Sequence, residues 1–191
     1  MEYSSTVTLK DGRACILRNG TASDGQALLD IFNLTHTQTD YLLTYPEEHS
    51  YTSEDEAELL RRKTDSVDEI ELLAELDGKV VGSAGINCVG RKEKTRHRVE
   101  FGISVDKAYW GLGIGRALTV ACIECAKKAG YTQLELEVVA ENRSAIGLYE
   151  SAGFVEYGRN PKGFLSRFTG WQEIVLMRLE LENGEYLEKN R

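Results

Sequence analysis

Apolar and polar positions alternate along this chain with two periods, and the switches between them mark the elements. Arg13 to Leu17 reads as a first strand. Thr21 and Asp24 form a capping-box pattern ahead of a helix that carries Leu28, Ile31, Phe32 and Thr35 on one face. Asp40 to Tyr51, which includes Pro46, breaks that period, and Ser53-x-x-Glu56 predicts a second helix running towards Arg62. Ile70–Leu76 and Lys79–Cys88 are strand-like and joined by Asp77-Gly78, a two-residue hairpin signal. After the charged loop Val89 to Thr95, Val99, Phe101, Ile103 and Val105 alternate as a strand. A helix is predicted from Gly113 to Ala129 with Gly130 as its stop, then a strand from Leu134 to Val139. Asn142 or Ser144 opens a further helix with Ala145, Leu148, Tyr149 and Ala152 on one stripe, ended by Gly153. Phe154–Tyr157 and Glu173–Leu181 close the pattern as strands. Hairpins outnumber βαβ crossovers. The expectation is one α/β domain on a mostly antiparallel sheet, spanning residues 10–182, with a polar C-terminal tail over 183–191.

Composition narrows the class without naming a function. A length of 191 residues suits a single domain. The 31 acidic against 23 basic side chains, a net charge of −8, disfavour nucleic acid as a partner. No apolar run is long enough to span a bilayer, so no membrane partner is expected. The opening MEYSSTVTLKDG has neither a basic head nor an apolar stretch; no signal peptide is expected, and a cytoplasmic location is. Cys15, Cys88, Cys122 and Cys125 read as free thiols. Cys122-x-x-Cys125 falls on the buried stripe of a predicted helix with no second Cys/His pair to complete a zinc site. His36, His49 and His97 lack metal-ligand spacing, so no metal is expected.

The chemistry is concentrated in Trp110-Gly111-Leu112-Gly113-Ile114-Gly115-Arg116, between a strand and a helix. Glycines at alternate positions allow positive φ and close backbone approach. A helix start adds unpaired N–H groups and the positive end of a dipole, a combination suited to a pyrophosphate. Two nucleotide patterns fail on spacing. The dinucleotide fingerprint needs a third glycine or alanine where Arg116 or Leu118 stands, and a nucleoside-triphosphatase loop needs Lys-Ser/Thr where Arg116-Ala117 follows. A glycine-rich connection without a ligand stays open on the loop alone.

Further on, Asn142-x-x-Ala145-x-x-Leu148-Tyr149-Glu150-x-x-Gly153-Phe154 follows the strand LELEVV. Together with the glycine loop this resembles the GNAT superfamily of acyl-CoA N-acyltransferases, over roughly Val99 to Tyr157, with VVGSAGI fitting a middle strand. The resemblance implies a single α+β domain whose mixed, mostly antiparallel central sheet is flanked by helices and splayed at an acyl-CoA site. It also implies acetyl-CoA as cosubstrate. One departure stands out: Trp110 occupies the position that is usually Arg or Gln, where side-chain packing beneath the loop is an alternative to ligand contact.

The same resemblance implies roles for individual residues. Gly111, Gly113, Ile114, Gly115 and Arg116 would hold the pyrophosphate. The main chain of Ile103, Ser104 and Val105 would pair with the pantetheine arm, with an N–H near Val105 polarising the thioester carbonyl. Asn142 would reach the same arm, cap its helix, or do both. Tyr149 is the candidate acid for the departing sulfur, its alternative role being core packing. An amine of pKa near 10.4 is only ~0.04% neutral at pH 7, so a base is expected. Glu100 on the cofactor strand is the first candidate and Glu137 the second. Tyr41, Tyr45, His49 and Tyr51 are expected on the acceptor side. Glu47, Glu48, Glu54, Asp55, Glu56 and Glu58 are either an acidic rim for a cationic amine or, for the middle three, a helix start. The acceptor is then a small-molecule amine, or a peptide amine at a protein N-terminus or lysine as in ribosomal-protein acetyltransferases. A catalytically silent acyl-CoA-binding module is the reading from another class. A homodimer is a further expectation from the resemblance.

Overall fold

The computed structural model describes residues 1–181. In chain order the elements are β1 (Ser4–Thr8), β2 (Ala14–Asn19), α1 (Gly25–Gln38), α2 (Ser53–Asp65), β3 (Ile70–Leu76), β4 (Lys79–Cys88) and β5 (Arg98–Val105), followed by α3 (Ile114–Lys128), β6 (Gln133–Val139), α4 (Arg143–Ser151), β7 (Val155–Ser166) and β8 (Gly170–Glu180). The strands form one sheet in the order β1-β2-β3-β4-β5-β6-β8-β7. Every neighbouring pair is antiparallel except β5 and β6. This is the single α/β domain with a mixed, mostly antiparallel sheet that the sequence predicts.

Strand alternation sorts the apolar side chains onto two faces. On one, Ile70, Leu72, Ile86, Val99, Leu134 and Met177 meet the buried stripe of α3, including Leu118, Ala121, Cys122 and Cys125. On the other, Leu73 packs with Leu28 and Ile31 of α1 and Leu60 of α2. Truncating a fully buried leucine such as Leu118 to alanine would cost about 2–5 kcal/mol. Cys15, Cys122 and Cys125 are buried and Cys88 half-buried, all with free thiols. Burial pushes the Cys122 and Cys125 thiols up, so this C-x-x-C pair sits in the core as small apolar side chains. No helix among the described residues is long and apolar enough to cross a membrane.

Three expectations need correction. The sheet starts before residue 10: β1 pairs with β2 from Ser4↔Arg18 to Thr8↔Ala14, a strand that SSTVT conceals because no residue of it is fully buried. The second helix is capped by Thr52 with Asp55 rather than by Ser53 with Glu56, one residue earlier than the pattern suggests. β7 and β8 form a hairpin much longer than Phe154–Tyr157 and Glu173–Leu181. As the sheet edge, β7 leaves most of its side chains in solvent and accommodates Pro161, and its bulges fall at Glu156/Gly158 and Asn160/Phe164. The tail over 183–191 lies outside the described residues.

Candidate functional site

The one parallel pair in the sheet is short. β5 and β6 register only as Arg98↔Gln133, Val99↔Leu134 and Glu100↔Glu135, after which β5 runs on to Val105 and β6 to Val139 without pairing to each other. A sheet that opens between two central strands exposes main-chain N–H and C=O groups that would otherwise be satisfied in the ladder. The far end of β5 is pinned: Gln38 at the end of α1 donates to the buried Asp106 at 2.9 Å and accepts from the Lys107 N–H at 2.8 Å.

The glycine loop stands above this opening. Gly111 and Gly113 have φ of +79° and +101°, a region disfavoured for side chains, and nothing lies within 4 Å of where a Cβ would stand on either. Gly113 caps α3 without a side chain, so the first-turn amides of Ile114, Gly115 and Arg116 have neither an intrahelical partner nor a cap. Arg116 donates to Ser151 Oγ of α4 at 2.9 Å. The Trp110 indole N–H donates to the Val105 carbonyl at 2.7 Å, tying the loop to the end of β5 while its ring stays 47% exposed. Trp110 therefore anchors the loop through a strand carbonyl.

α4 supplies the opposite wall. The Asn142 side-chain oxygen accepts from the Ala145 N–H at 3.2 Å, so the residue caps α4 and presents its Nδ2 group as the remaining donor. Tyr149 is 8% exposed and packs edge-on to Phe101 of β5 at 6.1 Å and against Phe154 at 5.9 Å. Burial pushes its phenol well above the ordinary range, which keeps the O–H protonated at neutral pH.

These groups enclose a cleft of about 400 Å³ lined by Ile103, Ser104, Val105, Gly111, Gly113, Ile114, Gly115, Arg116, Asn142 and Tyr149. The expected cofactor residues and Tyr149 are thus brought together, whereas neither candidate base, Glu100 or Glu137, lines the cleft. Glu100 lies where β5 and β6 begin to part, on the face opposite Val99 and Phe101, and does not line the cleft. Although the side chain is exposed as a whole, partial burial of its carboxyl and then the charges of Glu137 and Glu135 raise its pKa. Sequence reasoning did not find Lys10, Ser144, Leu148 and Ser151, which also line the cleft. Among the described residues, Lys10 and Arg116 are the cleft's two cations and no carboxylate lines it, in a chain whose net charge is −8. An anionic ligand is what such a lining suits.

Thr35, Thr39, Tyr41 and Leu42 also line the cleft, and of the residues expected on the acceptor side Tyr41 is among them. Tyr45, His49 and Tyr51 do not reach it: Tyr45 stacks under Arg167 at 3.5 Å, and His49 stacks on Phe32 at 3.8 Å with Tyr51 beside it. The six acids form no rim at the cleft. Glu56 is buried and accepts from His49 at 2.8 Å, Asp55 accepts from the Thr52 N–H at the start of α2, Glu54 accepts from Ser53, Glu48 accepts from the Tyr45 N–H, and Glu47 and Glu58 pair with Arg167 and Arg61. Asp40 instead organises this wall. Its carboxylate accepts from Ser166 at 2.6 Å, Thr169 at 3.0 Å and Gln172 at 3.2 Å, fastening the segment that carries Tyr41 and Leu42 to the β7–β8 turn.

Comparison with known proteins gives this arrangement a family. Residues 28–154 match the model of the acetyltransferase (GNAT) family. A crystal structure of a GNAT-family acetyltransferase from Streptococcus pneumoniae superimposes with a TM-score of 0.83 at 28% identity, covering 88% of this chain and 99% of that one. The L-amino acid N-acyltransferase MnaT of Escherichia coli (strain K12) is 28% identical over 111 residues, 58% of this chain and 64% of that protein. The ribosomal protein bS18 alanine N-acetyltransferase of the same strain is 38% identical over 81 residues, 42% of this chain and 54% of that protein. The chain thus matches less than two thirds of the length of either curated relative.

Proposed function

The chain belongs to the acetyltransferase (GNAT) family, and we propose that it moves an acetyl group from acetyl-CoA to a primary amine by direct attack. The observation that carries this reading is the cleft across the β5–β6 divergence, where uncapped amides, Lys10 and Arg116 meet and no carboxylate among the described residues intrudes. The residues fit the cosubstrate: the space beside Gly111 and Gly113 that a Cβ would enter is open. Acetyl-CoA supplies an activated thioester. The amides of Gly113 to Arg116, with the Arg116 guanidinium, bind its pyrophosphate. Main-chain groups of Ile103, Ser104 and Val105 orient the pantetheine arm as an added strand would, and Asn142 Nδ2 donates to it. An N–H near Val105 polarises the thioester carbonyl. The Tyr149 phenol, kept protonated by burial, delivers a proton to the departing sulfur.

Glu100 acts as base through water, since its carboxylate stands outside the cleft lining. Its raised pKa brings it closer to neutrality, where a general base is most effective. For the acceptor we favour a small-molecule amine. About 400 Å³ is at the small end of ligand sites and has to take the cofactor arm as well, which leaves room for a compact amine. The likeness to an L-amino acid acyltransferase supports the same choice; the likeness to a ribosomal-protein acetyltransferase favours a protein N-terminus as the second reading. Thiol release from acetyl-CoA across amino acids, polyamines, aminoglycosides and N-terminal peptides tests this. Turnover confined to peptides would move the assignment to protein N-termini. Cofactor binding without turnover on any amine would make the chain a silent acyl-CoA-binding module.

A further inference from the structure

Of the two cations in the cleft, Arg116 belongs to the first turn of α3 and is drawn towards α4 by Ser151. Lys10 comes from the β1–β2 turn, outside the region that matches the family. That turn is firmly seated. Leu9 is buried in the core, its N–H donates to the Arg13 carbonyl at 2.8 Å, and Gly12 donates back to Leu9 at 2.9 Å. The Lys10 N–H itself donates to the Leu112 carbonyl at 3.0 Å, so the residue rests on the glycine loop between the two positive-φ glycines. The acid next to it in the turn, Asp11, is engaged elsewhere, held by Arg13 at 2.7 Å. Among the described residues Lys10 makes no ion pair, and its side chain lines the cleft.

We infer that Lys10 binds the 3′-phosphate of coenzyme A and makes the protein distinguish this cofactor from its dephospho form. The inference rests on the acetyl-CoA reading and extends it. Coenzyme A carries two kinds of phosphate. The helix-start amides and Arg116 match the pyrophosphate, leaving the ribose phosphomonoester, with a charge of about −1.5 to −2 at pH 7, for the second cation. A lysine suits that task, because its compact ammonium offers three donors to a terminal phosphate without requiring a planar match. The main-chain bond that seats the residue is independent of its side chain, so replacing the side chain leaves the turn in place.

Calorimetric titration of the protein with coenzyme A and with dephospho-coenzyme A at low salt tests this without turnover. Wild type is expected to prefer coenzyme A by about tenfold, the scale of one charge-assisted contact. Lys10→Met should bind both ligands with nearly equal affinity, unchanged for the dephospho form, and Lys10→Arg should restore most of the preference. A Lys10→Met protein that keeps the wild-type preference would overturn the inference. So would one that weakens on both ligands alike, or a wild type that does not discriminate. A wild type that binds neither ligand would instead overturn the cofactor reading beneath it.

Discussion

The two walls of the cleft are built by different means. The cofactor wall is made of main-chain groups on regular elements: the open edge of β5, the uncapped first turn of α3 and the start of α4. The acceptor wall is a loop hung from the end of α1. It is held by side chains 126 to 132 positions away, through Asp40 to Ser166, Thr169 and Gln172. Main-chain recognition tolerates side-chain change, and Trp110 serves the loop from outside by donating to the Val105 carbonyl. Such recognition does not tolerate an altered backbone. A wall held by a few side chains has the opposite sensitivity, so under the proposed function substitutions on the two walls should act on different substrates.

The largest effect should come from changing the backbone of the cofactor wall. Gly113→Glu places a side chain at φ +101° and an anion at the helix start. Coenzyme A binding should fall beyond detection, at least about 100-fold, since strain costs about 1–3 kcal/mol and the misplaced charge up to about 2; titration calorimetry with circular dichroism as a folding control measures it. Next is Tyr149→Phe, which should lower kcat by about 10²-fold while leaving coenzyme A affinity unchanged, read from thiol release beside a binding titration. Because burial raises the Tyr149 pKa, this phenol should produce no alkaline loss of activity below pH 10. On the acceptor wall, Asp40→Ala should raise the amine KM by about tenfold, the cost of one or two hydrogen bonds to a charged group, with cofactor affinity unaltered. The smallest effect is expected from Glu137→Gln. Its negative charge helps to raise the Glu100 pKa, so removing it should shift the acidic limb of the kcat/KM profile to lower pH by a fraction of a unit. A shift to higher pH, or none, would separate Glu137 from Glu100.

The same contrast explains what could be read from the chain. Gly113, Gly130 and Asn142 are legible because each meets a local requirement, a positive φ or a helix cap, and the structure places all three where the pattern does. The hairpin at Asp77-Gly78 and the stripe of α3 are local in the same sense. β1 was hidden because no residue of it is buried enough to leave an apolar period. Lys10 and Asp40 gave no signal, since nothing near them in sequence records that one lies on the glycine loop and the other under a distant turn. Glu56 shows how a local rule can mislead: its place in a capping pattern suggested a helix start, whereas the first turn of α2 turns it inward to His49.

The central claim is that the main-chain donors opening α3 receive the cofactor's pyrophosphate. An amide ¹H–¹⁵N spectrum titrated with coenzyme A reads those donors one by one. The largest downfield proton shifts should fall on Gly113, Ile114, Gly115 and Arg116. Saturable binding with those four amides unmoved and the shifts gathered elsewhere would contradict the account.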